Sequence, residues 1–301
     1  MKGIAGVIVA TALLANVAPT RPQADDPLLR PVEPDYAARW LKPQTPRRIF
    51  GNTYLVGFTG LNVGLIRTDA GLILIDGALP QGARAIQANI RALGMDPKDI
   101  RYILSTEPHY DHASGIAALA RDSGATVIAS GWAAKSLTSG RPNPDDPQAA
   151  WLASFPPVTK VRTVRDGERI RLGEVTVTAH ATPGHTPGSM SWSWPTCEGR
   201  HCVTAIFASS LNPIAADGWR FLDHPAQVAA FRRSIAAMRA MPCGLLLSAH
   251  PDQSGGDEKI ARLAAGAKVN PFLDPGACRA YADGFRQDLD RRLAKEQSGK
   301  A

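Results

Sequence analysis

Between Leu104 and Gly115 the chain reads Leu-Ser-Thr-Glu-Pro-His-Tyr-Asp-His-Ala-Ser-Gly, so Glu107, His109, Asp111 and His112 fall within six residues. Four side chains able to bind a metal seldom crowd so closely unless they serve a common ion, and the fold must then aim them at one point. The preceding run, Asp99-Ile-Arg-Tyr-Ile-Leu-Ser105, alternates and is rich in β-formers, which predicts a buried strand. The following run, Gly115-Ile-Ala-Ala-Leu-Ala-Arg121, reads as a helix. A strand-to-helix loop is held rigid on both sides, the setting in which metal ligands and catalytic groups are usually built.

Two further histidines stand at the ends of strand-like runs. His185 sits in Ala181-Thr-Pro-Gly-His-Thr-Pro-Gly-Ser189 and His250 closes Gly244-Leu-Leu-Leu-Ser-Ala-His250. Glu107, His109, Asp111, His112, His185 and His250 together supply the donors for two zinc ions, each needing a tetrahedral nitrogen and oxygen set with a position left for water. Taken singly, His185 reads equally well as a turn histidine and His250 as a satisfied core histidine. Their recurrence at strand ends beside the cluster favours the metal reading. His180, His201 and His224 lack such a setting and read as structural or surface residues.

A chain of 301 residues with 44% hydrophobic side chains can bury a full core. Its start, Met1 to Ala15, is a lysine followed by a short apolar run that ends before Pro19 and Pro22, too short to span a bilayer. This is the pattern of an export signal over residues 1–18, with cleavage as late as residue 24; a buried N-terminal helix is the alternative. Residues 25–301 then form one domain, beginning with a proline-rich, charged arm to Pro46 that carries a short helix near Tyr36–Leu41. Strands are expected over 48–57, 61–67 and 71–76, a helix over 81–93, strands and a short helix from 125 to 137, and more strands up to Ala208. An amphipathic helix over 225–239 and a last strand to His250 complete a layered α/β chain. The loop 139–148 is followed by Trp151, Phe155, Pro156 and Pro157, an apolar patch that either packs beneath the loop or covers a site.

Export permits disulfides, and the cysteines are even in number: Cys197, Cys202, Cys243 and Cys278. Three connectivities are possible; Cys197–Cys202 with Cys243–Cys278 is favoured because the first pair is local, across a turn-like tetrapeptide. The net charge of +7 is spread along the chain. It suits anionic small substrates, a solvated surface explains it equally well, and no basic block points to nucleic acid. Once the signal is removed, no membrane segment remains.

The run Glu107-x-His109-x-Asp111-His112 resembles the ligand loop of the metallo-β-lactamase superfamily, where histidine usually stands first. Thr182-Pro-Gly-His185-Thr and Ser248-Ala-His250-Pro resemble its later ligand motifs, and Ile75-Asp76-Gly77 its early aspartate turn. Gly51-Asn-Thr-Tyr54, Leu72 to Gly77, Asp122 to Thr126 and Asp145-Asp-Pro147 are most similar to subclass B3, in a variant with glutamate at the first ligand position. From Ile49 onward the resemblance implies a four-layer αβ/βα sandwich and a zinc enzyme that opens β-lactam antibiotics. It also implies the ligand sets: Glu107, His109 and His185 on one zinc, Asp111, His112 and His250 on the other.

Hydroxide held between the ions would attack the lactam carbonyl without a covalent intermediate, with Asp111 as the catalytic residue that orients it. Ser209, Ser210 and Asn212 would bind substrate, and Ser210 would also stand behind Asp111. Being anionic, Glu107 is expected to leave the bound water less acidic and the first zinc less firmly held. The protein is expected to be a periplasmic or secreted monomer. Two alternatives remain: a hydrolase of the same fold acting on thioesters, lactones or phosphoesters, and a non-catalytic metal-binding relative. The first would be expected to carry an aspartate bridging both metals near Ser210, and none stands there.

Overall fold

The computed structural model describes residues 25–299. The expected export signal lies outside the described residues. A seven-stranded sheet runs in the order β1 (Arg47–Phe50), β2 (Thr53–Leu55), β3 (Gly64–Thr68), β4 (Gly71–Ile75), β5 (Ile100–Leu104), β6 (Thr126–Ser130) and β7 (Val161–Val164). A five-stranded sheet contains β8 (Arg169–Leu172), β9 (Val175–Ala181), β10 (Met190–Glu198), β11 (His201–Ala208) and β12 (Leu245–Ser248), with β12 at one edge beside β11. The helices are α1 (Pro34–Trp40), α2 (Ala83–Ala92), α3 (Tyr110–Ala113), α4 (Ile116–Ser123), α5 (Gly131–Ser139), α6 (Pro225–Ala240), α7 (Gly256–Ala264) and α8 (Ala277–Gln297).

The strands show why four layers form. In β4, Leu72 and Leu74 face a cluster with Ile86 and Ile90 of α2 and Ile116 and Leu119 of α4, while Ile73 and Ile75 face the second sheet. Side chains alternate across a strand, so a strand covered on both faces must be apolar throughout, as Gly-Leu-Ile-Leu-Ile is. The second sheet repeats the arrangement. Ala205 and Phe207 of β11 join Trp192 and Trp194 between the sheets, whereas Ile206 and Ala208 pack against Phe231 and Ile235 of α6 and Tyr281 and Leu289 of α8. Three apolar layers separate helices, sheet, sheet and helices, the αβ/βα sandwich.

Two sequence expectations change. The run 48–57 is not one strand: it folds back at Gly51–Asn52, so that Arg47 pairs with Leu55 and Phe50 with Thr53. The strand from Met190 extends past Trp194 to Glu198, because β11 pairs antiparallel with its whole length. That register sets Cys197 opposite Cys202, and these two are disulfide-bonded, as are Cys243 and Cys278.

Strands β4 to β7 are parallel, as are β11 and β12. In such sheets the loops leaving the carboxyl ends of the strands gather at one edge, where ligands bind. The loops after β4, β5, β11 and β12 all open there. Among the described residues no helix is long and apolar enough to cross a membrane.

Candidate metal centre

The loop after β5 is pinned before it reaches its ligand-like residues. Ser105 N donates to Ile128 O of β6 at 2.9 Å, and Met190 N of β10 donates to Thr106 O at 2.8 Å. Asp76, at the end of β4, accepts from Thr106 N and from Thr106 Oγ1, at 2.8 and 2.7 Å. Pro108 disfavours helix at the residue before it, so Glu107 stays out of the helix and α3 begins only at Tyr110. The single turn of α3 then carries Asp111 and His112. Its exit needs glycine on both sides of a close approach: a Cβ on Gly115 would lie 2.1 Å from Gly77 O.

Two triads result. The donor atoms of Glu107, His109 and His185 lie within 4.8 Å of one another, and so do those of Asp111, His112 and His250. In the second triad all three edges are defined: Asp111 Oδ2 is 3.3 Å from His112 Nε2 and 3.2 Å from His250 Nε2, and the two nitrogens are 3.1 Å apart. Two donors at ordinary bond lengths on a tetrahedral zinc stand roughly 3.3 Å apart. These three atoms are therefore spaced as ligands of one ion. Glu107 Oε1 links the triads, 3.5 Å from His185 Nε2 and 3.3 Å from His112 Nε2.

The donors fit a cation in a further way. Glu107 is fully buried, and its Oε1 has no hydrogen-bond partner, whereas Oε2 receives the Ser189 hydroxyl at 3.5 Å. A buried carboxylate oxygen left bare is costly, and a metal ion at the triad would satisfy it.

The histidines are oriented by groups behind them. His185 Nδ1 lies 2.7 Å from Asn212 O; a carbonyl only accepts, so the proton is on Nδ1 and Nε2 turns its lone pair into the triad, where the Gln148 amide nitrogen, 3.2 Å away, is placed to donate to it. His109 Nε2 is paired with Asp146 Oδ2 at 3.1 Å, leaving Nδ1 for the centre. Asp76 Oδ2 stands 3.6 Å from His112 Nδ1, beyond hydrogen-bond reach. The Asp146 carboxylate and the Asn212 carbonyl fix tautomer and ring angle.

Charge follows from this packing. Burial alone would lower the pKa of His109, but the Asp146 carboxylate outweighs it and raises the value to about 9. Burial lowers His112 to about 4, against the pull of Asp111 and Glu107. Burial would raise Asp111, yet His112 and His250 overrule it and hold the carboxyl well below the usual range. His250 is raised because its hydrogen bond to Asp111 outweighs burial.

Above the triads lies a cavity of about 480 Å³, lined by His109, Asp111, His112, His185 and His250 together with Trp40, Gln148, Leu152, Asn212 and Ile214. Asn212 thus lies where a substrate-binding residue was expected, but Ser209 and Ser210 do not. Both are buried and absent from the cavity wall. Ser209 Oγ bonds Thr182 Oγ1 at 2.8 Å, and Ser210 Oγ accepts from Asn212 N at 3.2 Å.

The apolar patch after loop 139–148 divides. Phe155 is core, Leu152 walls the cavity, and Trp151 is exposed. Sequence reasoning missed Asp146, Gln148 and Ser189. The first two sit in a stretch whose proline and aspartate content signals only a loop.

The profile of the metallo-β-lactamase superfamily matches residues 56–198. A solved B3 metallo-β-lactamase with an active-site glutamic acid is 51% identical, covers 91% of this chain and 99% of its own, and superposes with a TM-score of 0.84. The solved Rm3 metallo-β-lactamase is 44% identical over 87% of this chain and 98% of its own, also at a TM-score of 0.84. A hydroxyacylglutathione hydrolase of Anaeromyxobacter dehalogenans (strain 2CP-C) is 30% identical over 69% of this chain and 81% of its own length. The chain belongs to the metallo-β-lactamase superfamily. Its solved neighbours are B3 metallo-β-lactamases, hydrolytic enzymes, and one of them also has a glutamic acid in its active site.

Proposed function

We propose that the protein is an exported β-lactamase that uses two zinc ions to open the amide ring of penicillins, cephalosporins and carbapenems. The observation that carries this reading is the pair of triads, with the second spaced like the ligands of one tetrahedral zinc. Glu107, His109 and His185 would hold the first ion, and Asp111, His112 and His250 the second. Zinc in these sites supplies Lewis acidity, lowering the pKa of water to about 7 and polarising a carbonyl.

The protein's own groups do the rest. Asp111, kept ionised by His112 and His250, orients the attacking water by accepting its hydrogen bond. Asp146 and Asn212 O keep the imidazoles of His109 and His185 aimed. Gln148 and Asn212 are the neutral amide side chains facing a bound lactam. Residues 1–18 would direct export, and residues 25–301 would act as one domain, a monomer in the periplasm or outside the cell.

Likeness to a hydroxyacylglutathione hydrolase keeps thioester cleavage as a second reading. Against it, the loop after β11 reads Ser209-Ser-Leu-Asn212, with no carboxylate to bridge two metals. The test is hydrolysis of a chromogenic cephalosporin and of a glutathione thioester by the purified protein, with and without chelator. Chelator-sensitive turnover of the cephalosporin supports the proposal; turnover of the thioester alone overturns it.

A further inference from the structure

We propose that Arg39, on the N-terminal arm, binds the ring carboxylate of the substrate; this rests on the β-lactam reading above. Among the described residues Arg39 is the one lysine or arginine lining the cavity, whereas Asp111, Asp252 and Asp257 line it as acids. Penicillins, cephalosporins and carbapenems all carry a carboxylate on the ring fused to the lactam. Asp252 and Asp257, which also line the cavity, repel such an anion, and a cation on the wall offsets them.

The guanidinium is free to do this. It lies 5.3 Å from the ring centroids of both Tyr36 and Trp40, which stack on each other at 4.9 Å. These cation–π contacts are made to ring carbons and take up none of its N–H donors in hydrogen bonds. No carboxylate pairs with it among the described residues. A guanidinium edge matches a carboxylate in a bidentate manner, which an ammonium does not. Ser209 and Ser210, the other candidates for this task, are buried and stand off the cavity wall.

The arm is also seated firmly enough to act as a fixed wall. Gln81 Nε2 donates to Val32 O at 3.0 Å and Thr59 N to Lys42 O at 3.0 Å, bracketing α1. Arg39 and Trp40 lie so close to the loop before Leu61 that a Cβ on Gly60 would fall 2.8 Å from Arg39 O. Trp40 then reaches His250, ring to ring at 6.2 Å, and brings its neighbour to the edge of the metal centre. Glu107 strengthens the case, since it gives the centre one more negative charge than histidine would and weakens its own attraction for an anion.

The test compares a chromogenic cephalosporin as the free acid and as its neutral methyl ester, using zinc-loaded wild type, Arg39→Gln and Arg39→Lys. Zinc content is matched, and binding of the hydrolysed product is followed in parallel by tryptophan fluorescence. Arg39→Gln is expected to lose roughly ten-fold or more in kcat/KM on the acid, through KM, the span for hydrogen bonds to charged groups. The ester is expected to be unaffected, product binding to weaken by a similar factor, and Arg39→Lys to recover part of the loss. Equal losses on acid and ester, or no loss on either, would overturn the assignment. No turnover of either form by the wild type would overturn the function and, with it, this role.

Discussion

Asp146 Oδ2 stands 3.1 Å from His109 Nε2, and its other oxygen accepts from Gln148 N at 2.9 Å. One buried carboxylate thus aims a metal-binding imidazole and anchors the loop that walls the cavity.

Replacing Asp146 by alanine frees the His109 ring to turn. Zinc affinity at the Glu107–His109–His185 triad is expected to fall roughly 10- to 100-fold, as for other carboxylates behind ligand histidines, with Asp146→Asn less affected. Competition against a chromophoric chelator measures it, and unchanged affinity would contradict the role.

The pH dependence of zinc uptake follows from the same pair. With its pKa raised to about 9, His109 carries a proton at pH 7 in the metal-free protein, and zinc must displace it. Raising the pH removes the competing proton, so affinity at this triad should climb up to about pH 9 and level off above it. His112, lowered to about 4, is already neutral and contributes no such slope. Proton release on zinc addition at pH 7, measured in weak buffer, should approach or exceed one per chain, His250 adding to it. Release near zero would contradict this picture.

Much of this centre was legible in the sequence because its donors sit on short motifs at strand ends. Glu107, His109, Asp111 and His112 share one loop, and the turns around His185 and His250 announce themselves by glycine and proline. The four-layer build was legible for a related reason: a run such as Leu72-Ile-Leu-Ile75 is apolar on both faces. What lay hidden depends on contacts distant in sequence. Asp146 reaches His109 across 37 residues, and no periodicity encodes such a pairing. Ser209 and Ser210 were expected at the substrate because the family resemblance implied it; Thr182 and Ser191 instead draw Ser209 inward.

Exchanging Glu107 for histidine replaces an anionic donor by a neutral one. The variant should retain or raise zinc affinity at the first triad, because imidazole suits zinc better than a carboxylate does, and its bound water should be more acidic because a neutral ligand leaves the ion more positive. Metal analysis and steady-state turnover test it; identical zinc content and identical turnover would remove any special role from the carboxylate.

The two disulfides should differ in worth. Cys243–Cys278 closes a separation of 35 residues and Cys197–Cys202 one of 5. Loop-closure entropy then assigns roughly 4 kcal/mol to the first and roughly 2 kcal/mol to the second. Urea denaturation of the two serine double variants checks the order, and a larger loss from the hairpin pair would contradict it.

The central claim is that six side chains from three strand-end loops hold two ions. An anomalous-difference map recorded at the zinc edge, from crystals of the zinc-loaded protein, tests it most directly. The account predicts two peaks, one bounded by Glu107, His109 and His185 and the other by Asp111, His112 and His250, each about 2.0–2.2 Å from its donors. Absence of both peaks, or zinc bound only away from these side chains, would contradict it.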